Sequence, residues 1–111
     1  MDQPQIINFS NNFNSKLNAD IFSTIRMRND KRYQQNRLYT ITLKDQLHGQ
    51  ARIIYLRHFD IQALPNATAY LDSGYNAQDT IKMLQTMFKH KNIDIFHVEW
   101  TLILLKFETR V

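Results

Sequence analysis

Apolar positions recur along this chain with two different spacings, and the changes from one to the other mark out its elements. The run "IINF", Ile6 to Phe9, reads as a short first strand. In "NNFNSKLNADIF", Phe13, Leu17 and Ile21 return every four residues, which predicts a short amphipathic helix capped by Asn11 or Asn12. "STIRMR" then alternates, with Ile25 and Met27 on one side and Thr24, Arg26 and Arg28 on the other, so a strand is expected there. "NDKRYQQN" is a loop. "RLYTITL" (Arg37 to Leu43) and "QARIIYLRHFDI" (Gln50 to Ile61) are strands joined through the turn "KDQLHG", a hairpin.

"QALPNATAYLDSGYN" has neither period and reads as an irregular connection in which Pro65 stops either ladder. Asn76 followed by Asp79 resembles a capping box, and Ile81, Leu84, Met87 and Phe88 then line one face of a helix to about Lys89. Lys89, His90 and Lys91 close it, where cations suit the helix dipole. "IDIFHVEWTLILLKFE" is a long last strand with Phe96, Val98, Trp100, Leu102 and Leu104 on one side. The order β-α-β-β-β-α-β predicts an α+β fold, a small mixed β-barrel of about five strands with two short helices.

Composition narrows this picture. A chain of 111 residues with 43% hydrophobic content is one domain, residues 1–111, with its own core. It has no cysteine, which excludes disulfides, thiolate metal sites and cysteine nucleophiles. His48, His58, His90 and His97 have neither the helical spacing nor the clustering of ligands, so no metal and no cofactor is expected. The polar start "MDQPQIINFSNNF" lacks the pattern of a signal peptide, and "TLILL" is far too short to span a bilayer. A soluble, cytoplasmic protein is the expectation.

The formal net charge is +4, but the charge is unevenly placed. Residues 26–57 hold eight Lys/Arg (26, 28, 31, 32, 37, 44, 52, 57) against Asp30 and Asp45, and the rest of the chain is mildly acidic. Six of the seven arginines fall in this window. A hydroxyl (Thr24), guanidinium groups (Arg26, Arg28, Arg32) and a ring (Tyr33) on neighbouring surface suit a nucleobase with its phosphate: the ring stacks, arginines pair with oxygens, and the hydroxyl reads an edge. A charged, solvated strand edge explains the same arginines without a ligand.

The pieces "FNSKLNADIFSTIRMR", "KRYQQNRLYTI", "HGQARIIYL", "YLDSGYNAQDTIKML" and "WTLILLKFE" occur in an order that resembles the ASCH domains of the PUA-like superfamily, small β-barrels associated with RNA. The resemblance runs from about Ile7 to Glu108. It implies that Thr24 and Arg26 are the threonine and arginine of the family's "K-x-x-T-x-R" segment, which faces a central cleft. The motif's lysine falls at Ile21. A bacterial branch of the family uses that lysine, the threonine and a glutamate to deacetylate N4-acetylcytidine, and the glutamate's place falls near Ser73, next to Asp72. Asn36-Arg37 replaces the usual Gly-Asp of a turn.

The leading expectation is therefore a module that binds RNA or a modified nucleoside or nucleotide through Arg26, Arg28, Arg32 and Tyr33. The alternative is an amidohydrolase in which Thr24 works with Asp72, or with Lys31 folding back over the cleft in place of the missing lysine. A protein–protein adaptor with a basic face is a third.

Overall fold

In the computed structural model, residues 4–111 are described, apart from the side chains of Phe13 and Asn14. Five strands form one sheet: β1 (Gln5–Phe9), β2 (Ile21–Met27), β3 (Leu38–Leu43), β4 (Gln46–Asp60) and β5 (Glu99–Arg110). Two helices, α1 (Asn66–Ser73) and α2 (Ala77–Phe88), lie between β4 and β5. The spatial order is β1-β3-β4-β5-β2, with β1 parallel to β3 and every other pair antiparallel. The sheet curls into a half-barrel, the small mixed α+β architecture expected from the strand count. β1 and β2 are its two edges.

Curling is built in at β4, whose 15 residues carry register shifts at Gln50/Ala51 and Ile53/Tyr55, with another against β3 at Ile41/Thr42. Each such bulge adds local twist and bends the strand. The curled sheet buries its hollow and, beneath the helices, part of the opposite face, while Ile6, Leu47, Ile54 and Tyr55 stay exposed on the strands. Ile7, Phe9, Leu17, Phe22, Tyr39, Ile41, Ile53, Ile103, Leu105 and Phe107 fill the hollow of the half-barrel. On the other face, Ile61, Leu64, Ala69, Ile95 and Trp100 pack with Ile25, Met27, Ile81, Leu84 and Phe88 beneath the helices.

Four sequence expectations are corrected here. The segment Phe13–Asn18 is a 3₁₀ turn, not an α-helix, and Ile21 belongs to β2, where it is half exposed. Phe13's own side chain, assigned to the apolar face, lies outside the described residues. Asn12 still serves the turn, its Oδ1 accepting the Leu17 N–H at 2.9 Å. The connection after β4 is largely helical: Pro65 precedes the first turn of α1, where a missing N–H costs no hydrogen bond, and Gly74 ends the helix in the left-handed region (φ 83°). The last strand starts only at Glu99, and Phe96 is exposed. Its densest core face is Thr101, Ile103, Leu105 and Phe107, while Leu102 and Leu104 on the named side are half-buried. Met87, placed on the buried face of α2, is 55% exposed. The predicted cap of that helix is present, Asn76 Oδ1 accepting from the Asp79 N–H at 2.8 Å.

Candidate functional site

Because the sheet stops at half a barrel, the free edges of β1 and β2 face a gap that no backbone ladder closes. A cavity of about 440 Å³ occupies it. That lies within the ~300–1,000 Å³ usual for small-molecule sites. Its polar end is formed by Asn8, Lys16, Thr24, Arg26 and Asp72, and its apolar wall by Met27, Met83, Leu84, Phe88 and Trp100. β2 supplies both characters because successive side chains leave its free edge in opposite directions.

Asp72, in the last turn of α1, is the centre of the polar end. Its Oδ1 accepts from Lys16 Nζ at 2.9 Å and from Ser23 Oγ at 2.8 Å. The side chains of this ion pair are only 8% and 12% exposed. Lys16 reaches it from the 3₁₀ turn, its ammonium 5.4 Å from the centre of the Phe9 ring. Burial pushes the Lys16 ammonium below the ordinary lysine range; the Asp72 carboxylate offsets part of this, and the charge of Arg26 adds to it.

Thr24 is 4% exposed and its Oγ1 accepts from Arg26 Nε at 3.0 Å, which leaves its own proton available to a ligand. Arg26 also donates from Nη2 to the Asn8 carbonyl at 2.9 Å and stacks on Phe9 at 4.9 Å. Burial lowers its pKa, while Tyr33 and Asp72 act in the opposite direction and Arg32 reinforces the lowering. Thr24 and Arg26 thus sit as the alternation of β2 requires, on one face and beside each other.

The other sequence candidates divide. Arg28 and Arg32 line the cavity, and so does Tyr33, but Tyr33 is 9% exposed and packs in the half-barrel core, with Arg32 over its ring at 5.4 Å. It is a buried wall and not an open stacking platform. Arg28 is clamped by Asp30, through two hydrogen bonds of 3.0 Å, and by Glu99 at 3.2 Å. Lys31 does not fold back over the site: it is exposed and lines a shallow neighbouring hollow with Asp30, Val98 and Glu99. Of the remaining basic-window residues, Arg37 donates to the Lys31 carbonyl and Arg52 pairs with Glu108. The cations of residues 26–57 therefore do not share one rim. Among the described residues, no group of three His, Asp or Glu side chains is placed to hold a metal, and no helix is long and apolar enough to cross a membrane.

Lys16 is the functional candidate that the sequence reading missed. It falls eight residues before Thr24 and not three, so motif spacing passes over it. A signal was present, since Lys16 is the sole Lys or Arg in the first 25 residues.

No family model matches the chain, and no curated protein matches it in sequence. Among solved structures, protein EF3133 from Enterococcus faecalis, described by the family model DUF984, is similar in fold. The TM-score is 0.72 at 8% sequence identity, over 100% of this chain and 84% of that one. At that identity the likeness concerns the fold alone.

Proposed function

We propose that the cavity binds one modified nucleoside and hydrolyses an acylamino group on its base, as in the ASCH-type amidohydrolases that the sequence resembles. One observation carries this reading: a buried Lys16–Asp72 pair, joined by Ser23, lines the same hollow as the Thr24 hydroxyl. The pair supplies what the motif lacks at Ile21. A lysine held below its usual pKa gives and takes protons more readily near neutrality than an exposed one.

In this reading the base lies along the apolar wall with its acylamino group at the polar end. The Lys16–Asp72 unit takes a proton from water as the water oxygen bonds to the acyl carbon. The Thr24 hydroxyl, turned outward by Arg26, donates to the oxyanion that forms. The C–N bond then breaks, and the pair returns the proton to the departing amino nitrogen, giving a carboxylic acid and the free amine. A cavity of this size favours a single nucleoside over a length of RNA, and the carboxylates on Arg28 weaken the case for an open phosphate-binding face.

The test is chromatographic: N4-acetylcytidine is incubated with the protein and cytidine is measured. Lys16→Met, Asp72→Asn and Thr24→Val should each lower turnover by about a hundredfold or more. Fluorescence of Trp100, the chain's one tryptophan and a lining residue, reports binding independently. Binding without cytidine would leave a nucleoside-binding module and remove the hydrolase. Neither binding nor turnover would remove both.

A further inference from the structure

Charge inside the cavity does not balance. Lys16, Arg26, Arg28, Arg32 and Lys91 line it, against a single carboxylate, Asp72. Lys16 is matched by Asp72, and Arg28 by Asp30 and Glu99 from outside the lining. The other three hydrogen-bond or stack on neutral groups, and the one carboxylate that acts on Arg26 through space is Asp72, already bonded to Lys16. Arg26 donates to Thr24 Oγ1 and the Asn8 carbonyl, and Arg32 donates to the Ile6 carbonyl at 3.1 Å and lies over Tyr33. Lys91 sits 5.3 Å from the centre of the Phe88 ring. Among the described residues none of these three makes an ion pair. Carbonyls and ring faces orient a cation but leave most of its charge uncancelled, and Arg26 is half-buried.

We infer that the ligand of this cavity is an anion, a nucleoside carrying a 5′-phosphate, whose phosphoryl oxygens are taken by Arg32 and Lys91 at the exposed rim with Arg26 behind them. The inference rests on the nucleoside reading for the base, but the anion site itself stands on the charge balance. A planar fork and a point charge together suit a tetrahedral phosphoryl group, which offers several oxygens at once, better than they suit a carboxylate. The size of the cavity limits the ligand to one nucleotide.

The experiment compares cytidine with cytidine 5′-monophosphate by titration calorimetry, and ribose with ribose 5-phosphate by thermal shift, at low and moderate salt. The monophosphate should bind at least roughly tenfold tighter than the nucleoside. That advantage should shrink as salt rises, and ribose 5-phosphate should raise Tm where ribose does not. Arg32→Gln and Lys91→Gln should each cut the preference, and together bring it near one. Lys106→Gln, which removes an equal charge from an exposed position outside the cavity lining, should keep it.

Equal affinity for nucleoside and nucleotide would overturn the inference, and so would a preference that survives in Arg32→Gln/Lys91→Gln. Stabilisation by ribose 5-phosphate without any response to the cytosine compounds would uphold the anion site and remove the nucleoside reading. Turnover of N4-acetylcytidine with no gain from a phosphate would do the reverse.

Discussion

Asp72 receives two hydrogen bonds on one oxygen while buried, and Lys16 is the only cation bonded to it among the described residues. Removing either partner strands a charge in a poor solvent, whereas removing both leaves a merely apolar contact. Lys16→Met should therefore cost about 3 kcal/mol in urea unfolding, and Lys16→Met/Asp72→Leu should recover to within about 1 kcal/mol of the parent. Simple additivity of Lys16→Met and Asp72→Leu would mean that the two do not interact. The same pair sets a pH dependence with a definite sign. Lys16 titrates lower when folded than the ordinary 10.5 of an unfolded lysine. Between those two values the unfolded chain binds the extra proton, so this residue's contribution to stability rises with pH there. Below the folded value its burial penalty is fully present. Unfolding measured on the alkaline side should show that rise in the parent and lose it in Lys16→Met. Thr24 and Arg26 were legible in the sequence because strand alternation fixes side-chain direction. Lys16 was not, because a 3₁₀ turn changes both rise and phase relative to the helix that the spacing of Phe13, Leu17 and Ile21 suggested.

Turns and bulges decide how the elements join, and here the chain uses residues that hide what they do. Lys44 and Asp45 form the whole β3–β4 turn, both in the left-handed region (φ 51° and 64°). Two-residue hairpins of this kind favour Asn-Gly, so "KD" carries no signal and the sequence pattern places the turn over all of "KDQLHG", although β4 begins at Gln46. Lys44→Asn/Asp45→Gly should stabilise the protein by about 1 kcal/mol in thermal or urea unfolding. Gly49 behaves in the opposite way. A Cβ there would lie 2.1 Å from the Thr109 carbonyl oxygen on β5, and its φ of 150° is strained for any side chain. Gly49→Ala should cost about 3 kcal/mol by the same measurement, since the obstacle is backbone and cannot rotate away. The helix α1 escaped the sequence reading for a related reason. Pro65 and Gly74 bracket eight residues with little apolar periodicity, and Ala69, Asp72 and Ser73 are the ones buried. A face made of small and polar residues leaves no hydrophobic stripe to read, yet it is the face that delivers Asp72.

At the scale of the whole molecule, the opening between β1 and β2 is both the reason for a cavity and a structural weakness. β1 has one strand neighbour, β3, and its other edge meets side chains: Arg26 binds the carbonyl of Asn8 and Arg32 that of Ile6. Two arginines on alternate carbonyls thus do what a sixth strand would do in a closed barrel. This gives the basic segment after Phe22 a structural task beside any ligand-binding one, since the guanidinium groups hold an edge in place and face the cavity together. A ligand that draws Arg26 or Arg32 away from β1 must leave those carbonyls to water, so occupancy of the cavity and order of the edge are linked. Arg26→Met keeps the contact with Phe9 but loses the donors to Asn8 and Thr24, at a cost of about 2 kcal/mol. The loss should be local. Amide exchange at Ile7 and Phe9 should accelerate far more than exchange at Ile53 or Ile103 in the central strands, since the donors lost go to Thr24 and to Asn8 of β1. Uniform acceleration across all five strands would mean that β1 unfolds only with the rest, and that the arginines are not what fastens it.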